Sequence, residues 1–121
     1  MSQVRVPFLF ALVVAIVFAT GMALLPHPPQ VLEVNDKWQH MAAFGTLTLL
    51  AVLAFPAGSL WRIGERLSFL GALIEVFQSI PALHRDCDVM DWVADTAMIV
   101  AILCVAGLMR VAMKPRSLRR T

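Results

Sequence analysis

Charge is what this sequence has least of. Of its 121 residues, 15% are Asp, Glu, Lys or Arg and 60% are hydrophobic, whereas a soluble domain carries about 25% charged and about 45–50% apolar residues. That balance excludes an ordinary water-soluble globular class, and the mean hydropathy of +0.78 agrees. Basic stretches interleaved with aromatics are also missing, which sets nucleic acid aside as a partner. Cysteine is scarce: the chain has two, too far apart along a helical rise to pair with each other and too few for a disulfide framework. Cys104 reads as a small buried apolar residue. Cys87 stands alone, without the CxxC partner that would point to a metal. There is no internal repeat, no low-complexity segment and no recognised catalytic signature, and the sequence gives no ground for assigning a cofactor or a resident metal. The length suits one domain of three or four spans of about 20 apolar residues each.

What is present is oil in four blocks, with polar residues at particular places. Val6 to Leu25 carries no charge. It is too long for the apolar core of a cleaved signal peptide, so it reads as an uncleaved first span. The connector from Pro26 to Glu33 holds three prolines and cannot be helical throughout. Asn35 or Asp36 then makes a good N-cap for a second span over 35–55. Pro56-Ala57-Gly58-Ser59 is a turn. A third span over 60–80 includes Glu75 and Gln78 and ends before Pro81. A re-entrant or interfacial helix is its alternative. The fourth span covers 89–113, and 114–121 is a basic tail. The expected fold is therefore an all-α membrane protein, a compact bundle of four transmembrane helices forming one domain over 1–121.

Lys and Arg distribution gives an orientation, because these residues accumulate on the cytoplasmic side. With four spans, Arg5, Arg62, Arg66, Arg110, Lys114, Arg116, Arg119 and Arg120 share one side, and Lys37 and Arg85 share the other. Both termini are thus expected in the cytoplasm, with the chain passing several times through the membrane. Trp38 and Trp92 are expected as anchors at the outer interface and Trp61 at the inner one.

On that plan the ionisable residues within or beside the apolar cores, apart from the cytoplasmic Arg set, fall at one depth near the outer face. Asp36, Lys37 and His40 occupy the first turns of span two. Glu75 and Gln78 lie in the outer half of span three. Arg85 and Asp88 lead into span four, whose first turns hold Asp91 and Asp95. Asp36 and His40 are i, i+4. Asp88, Asp91 and Asp95 are i, i+3, i+7 and lie within roughly 60° of one another on a helix. An ionised side chain inside a bilayer costs at least about 2.5–3.5 kcal/mol, so three helices carrying such residues on single faces point to faces that meet. Gly71 and Ala72, one turn before Glu75, would let a neighbouring helix come close. A purely structural polar network is the competing explanation, and Asp36 and Asp88 could equally be plain helix caps.

The motifs Asp36-Lys37-x-x-His40-x-x-x-Phe44, Glu75-x-x-Gln78 and Arg85-x-x-Asp88-x-x-Asp91-Trp92-x-Ala94-Asp95-Thr96 together resemble the VanZ-like family of small bacterial membrane proteins, over about residues 35 to 107. The family often has Asn where this chain has Asp95, and Gly near Ala97 and Met98. The resemblance implies envelope biology, with a link to teicoplanin resistance. Three functions stay open. In the first, an outward-facing pocket made by Asp36, Lys37, His40, Glu75, Gln78, Arg85, Asp88, Asp91 and Asp95 binds a lipid headgroup, cell-wall precursor or glycopeptide. In the second, a membrane enzyme acts on a lipid-linked substrate, its His and carboxylates holding Mg²⁺ or Mn²⁺. The third is a structural or partner subunit, or a small transporter. A transporter would want its polar site near the midplane.

Overall fold

Four α-helices and no strands are found among the described residues of a computed structural model, which are 4–24, 36–80 and 89–113, the side chains of Asp36 and Lys37 excepted. They are α1 (Val6–Leu24), α2 (Asp36–Ala54), α3 (Leu60–Gln78) and α4 (Val89–Met113). The helix positions agree with the sequence expectation to within two residues at each end. Local chemistry explains the boundaries. Pro7 falls in the first turn of α1, where a missing N–H costs nothing. Ser59 caps α3 from an extended conformation, its Oγ accepting from the Arg62 N–H at 3.4 Å. At the other end of α3 the Ser79 hydroxyl donates to the Val76 carbonyl, and Pro81 prevents the helix from continuing.

Four hydrogen bonds from three residues fix the topology. The Arg5 N–H donates to the Ala54 carbonyl at 2.9 Å, so α1 begins where α2 ends. Gln78 Nε2 donates to the Ala23 carbonyl at 2.9 Å, so α3 ends where α1 ends. The Arg110 guanidinium donates to the carbonyls of Gly58 and Phe55 at 2.6 and 3.0 Å, so α4 ends at the α2–α3 turn. The helices therefore run alternately up and down. One end, here the turn end, holds the start of α1, the α2–α3 turn and the end of α4. The opposite end holds the starts of α2 and α4 and the ends of α1 and α3.

The interior is a thin seam of Leu12, Phe44, Leu47, Ala51, Leu67, Ile74 and Ile99. Small residues let the helices close on it. Gly45 lies under Met98 and Ile102 of α4, and a Cβ on Gly71 would stand 3.3 Å from both Phe44 and Trp92. Outside this seam the surface is apolar: Phe10, Val17 and Phe18 on α1 and Val105, Leu108 and Met109 on α4 are all exposed. α1 and α4 are long and apolar enough to cross a membrane, and little of either is buried in the bundle. The core helix of a soluble protein would be mostly covered; these two turn most of their apolar surface outward.

Three expectations need correction. Cys104 is exposed on α4 rather than buried, because a helix that is apolar all round gives no period by which to tell inside from outside. Trp92 is not simply a peripheral anchor: its indole Nε1 donates to the Ser68 carbonyl at 2.9 Å and ties α4 to α3. Trp38 and Trp61 are exposed, as anchors would be. Glu65, exposed in the first half of α3, breaks the rule that acidic groups gather at one end.

Candidate polar site at one end of the bundle

α2, α3 and α4 each bring ionisable side chains to the end opposite the turn. His40 is the fifth residue of α2, Glu75 the fourth from the end of α3, and Asp91 the third of α4. At about 1.5 Å per residue they lie roughly one turn from the end of their helices. The three converge: one ligand-capable atom from each of His40, Glu75 and Asp91 lies within 4.8 Å of the other two. Asp95, one turn deeper along α4 from Asp91, places Oδ2 3.6 Å from His40 Nδ1. That is longer than a hydrogen bond and an ion pair only when the imidazole is protonated.

All four are shielded, with relative exposures of 8% for His40, 6% for Glu75, 7% for Asp91 and 1% for Asp95. Asp95 Oδ1 is buried and has no hydrogen-bond partner among the described residues. Buried polar atoms are nearly always paired, and a buried anion is costly without a compensating group. The set thus puts three carboxylates beside one imidazole in a water-poor place. That arrangement can bind a cation, accept hydrogen bonds from hydroxyl or amine donors, or pass a proton between His40 and its neighbours.

The packing that holds this geometry is local. Phe44, one turn along α2 from His40, lies against Gly71, one turn before Glu75. Ser68 and Thr96 share a hydrogen bond at 3.0 Å, and with the Trp92–Ser68 bond it locks α3 to α4 below the acidic groups. Thr48 turns its hydroxyl back to the Phe44 carbonyl at 2.7 Å, so this buried polar side chain is satisfied within α2.

Of the residues singled out from sequence, His40, Glu75, Asp91 and Asp95 come together as expected. Gln78 does not join them through its amide nitrogen. It is buried, and that nitrogen is used on the Ala23 carbonyl of α1. Asp36 and Lys37 open α2, but their side chains, like Arg85 and Asp88, lie outside the described residues. The Ser68–Thr96 pair was not anticipated. Its signal was available: Ser68, Gly71, Glu75 and Gln78 follow a helical period along one face of α3.

Sequence reasoning also missed a cleft of about 400 Å³ between α1 and α2. Ala15, Ala19 and Ala23 form one wall, and Gln39, His40 and Ala43 lie on the other. Alanines at i, i+4 and i+8 in α1 leave room beside α2, and the cleft reaches Phe44, Leu47 and Ile74 of the seam. The cleft is mostly apolar and meets the polar site at His40. Compared with models of protein families, with curated proteins and with solved structures, the chain matches none.

Proposed function

We propose that this chain is a multi-pass protein of the bacterial cytoplasmic membrane, with four spans, both termini in the cytoplasm and the polar site facing the envelope side. In this reading it recognises an amphiphile. The headgroup of a membrane lipid or lipid-linked cell-wall precursor, or a glycopeptide, meets the polar site, and an apolar tail lies in the α1–α2 cleft. The observation that carries the proposal is the junction at His40, where a buried polar cluster drawn from three helices opens onto an apolar cleft. Solvation alone gives no reason to gather His40, Glu75, Asp91 and Asp95 in a chain this poor in charge. The outward apolar faces of α1 and α4 support the membrane setting, and the distribution of Lys and Arg supports the orientation. The motif resemblance to the VanZ-like family directs the reading to the envelope and makes altered teicoplanin susceptibility the phenotype to examine.

In this scheme hydroxyl or amine groups of the headgroup donate to the Glu75 and Asp91 carboxylates, and His40 donates or accepts according to its protonation. Lys37 and Arg85 would supply the positive charge that a phosphate or carboxylate requires. Native mass spectrometry of protein extracted from its own membranes tests this. Wild type should retain an amphiphile that His40→Ala and Glu75→Ala lose at equal protein level. A ligand retained equally by both variants would remove the cluster from recognition.

A second reading, a metal-dependent membrane enzyme acting on a lipid-linked substrate, is favoured by one observation: the convergent set is an imidazole with two carboxylates, a donor combination used by catalytic metal sites.

A further inference from the structure

We infer that His40, Glu75 and Asp91 form a binding site for one divalent transition-metal ion, Zn²⁺ or Mn²⁺, with Asp95 as the group that positions the His40 ring. The site deepens the metal-dependent reading above and rests on it. It shares its side chains with the headgroup site of the amphiphile reading, but ion stoichiometry and amphiphile retention are measured separately, so either reading can fail without the other.

Geometry comes first. One donor atom from each of the three residues lies within 4.8 Å of the others. Ligands about 2.1 Å from a tetrahedral metal stand about 3.4 Å from one another. The remaining distance, at most about 1.4 Å between any two donors, is on the scale of side-chain rotation. The three come from α2, α3 and α4; the Trp92–Ser68 and Ser68–Thr96 hydrogen bonds lock α3 to α4, and Phe44 packs α2 against Gly71 of α3. A rigid frame that presents its donors in advance is what a metal site requires.

Charge is the second ground. A divalent cation neutralises the Glu75 and Asp91 carboxylates and leaves only the charge of Asp95 behind His40, so it removes most of the like-charge repulsion in a low-dielectric setting. Without the cation, Glu75 and Asp91 are two acids side by side in a buried place.

Asp95 is an independent third ground. It is 1% exposed, its Oδ1 lacks a hydrogen-bond partner among the described residues, and its Oδ2 faces His40 Nδ1 at 3.6 Å. A carboxylate behind a ligating histidine fixes the tautomer and raises the basicity of the ring. Here it would hold the proton on Nδ1 and leave Nε2 for the ion, shortening the 3.6 Å contact as the ring settles.

The donor set selects the metal. Ca²⁺ prefers six to eight oxygens and Mg²⁺ keeps several waters, neither of which suits a shielded site with a nitrogen ligand. Imidazole with carboxylate suits Zn²⁺, and the carboxylates also suit Mn²⁺. The described chain supplies three ligands, which leaves a coordination position for water or for an oxygen of a bound molecule.

The test uses the full chain, purified in detergent and stripped with a chelator, then titrated with Zn²⁺ and with Mn²⁺ under equilibrium dialysis with elemental analysis. One ion per chain is expected for wild type and for Glu65→Gln, an exposed acid far from the site. Glu75→Gln and Asp91→Asn should each weaken binding by at least 100-fold, and Asp95→Asn by about 10- to 100-fold. These near-isosteric variants are checked for native helix content by circular dichroism. Should one fail to fold, Co²⁺ bound to wild type answers separately. A visible spectrum of nitrogen and oxygen ligation without a thiolate charge-transfer band supports the site. A thiolate band, which would place Cys87 on the ion, overturns it. Absence of a stoichiometric ion, or an ion held equally by the Glu75 and Asp91 variants, also overturns it, and the cluster is then a hydrogen-bonded polar network.

Discussion

The two ends of the bundle solve the problem of charge in opposite ways. At the turn end Arg110, one of several cations there, lies against the carbonyls of Gly58 and Phe55, the second of which also accepts from the Gly58 N–H in the turn. The charge there completes the backbone of another element. At the opposite end the acids face side chains from other helices, and one buried carboxylate oxygen, Asp95 Oδ1, has no hydrogen-bond partner among the described residues. The first pattern is that of a clamp. The second is a cluster of side chains drawn from three helices, read above as a binding site. Substitutions at the turn end are expected to change stability alone, and substitutions of the acids to change binding with little effect on stability.

The largest effect should come from the packing that both ends share. Gly71 sits where a Cβ already stands 3.3 Å from Phe44 and Trp92. Gly71→Leu leaves no room for the added carbons, so α3 must separate from α2 and α4. Overpacking of this kind costs about 1–3 kcal/mol and sometimes more. In the membrane setting proposed above the loss would not be softened by a hydrophobic drive, because close van der Waals contact would be the main attraction between helices. Thermal unfolding in detergent should show a large fall, with loss of binding as a consequence. Gly64→Ala makes the useful contrast. A Cβ there would meet Leu103 Cδ1 at 2.8 Å, but that methyl is the far end of a flexible side chain and can turn away, so the fall should be small. Equal losses at the two glycines would mean that the seam near the polar end is no tighter than the rest.

Arg110→Ala comes next. It removes a cation that donates to two carbonyls, and hydrogen bonds to charged groups contribute about 1.5–3 kcal/mol. Arg110 is only part-buried, so solvent can take over some of its role and the expected loss is about 1–2 kcal/mol. Thermal unfolding measures it. Ligand and metal binding, measured on the folded fraction, should stay at wild-type values. A loss of binding without a loss of stability would erase the distinction between the two ends.

The fold was largely legible because its signals were long. Four apolar blocks separated by Pro-rich or Gly-containing breaks define four helices, and Pro7, Ser59 and Pro81 mark boundaries by chemistry that acts within one turn. The convergence of His40, Glu75, Asp91 and Asp95 was legible too, since alternate helices bring the starts of α2 and α4 and the end of α3 together. Rotation about the helix axes was harder to read. Cys104 and Trp92 were misjudged because neighbours that are apolar on every side set no phase, and a tryptophan near a span end suits an interface as well as a helix contact. The α1–α2 cleft was missed for a related reason: alanines every four residues in α1 look like close packing, and only the partner helix decides whether the space is filled.

Gln78 decides where the site stops, and its effect is the smallest. Its spacing of three residues from Glu75 assigns it to the acidic face, yet its amide nitrogen donates to the Ala23 carbonyl in the last turn of α1. Such a carbonyl has no partner within its own helix, so this bond resembles the Arg110 clamp more than it resembles the neighbouring acids. Gln78→Leu keeps much of the volume and removes the donor. The expected cost is about 1 kcal/mol of thermal stability, with metal binding unchanged. Any loss of amphiphile binding should be modest and traceable to α1, because Ala23 also lines the cleft. A Gln78→Leu protein as stable as wild type but unable to bind metal would move Gln78 into the ligand set. The boundary between clamp and site would then lie at the end of α1 rather than at Glu75.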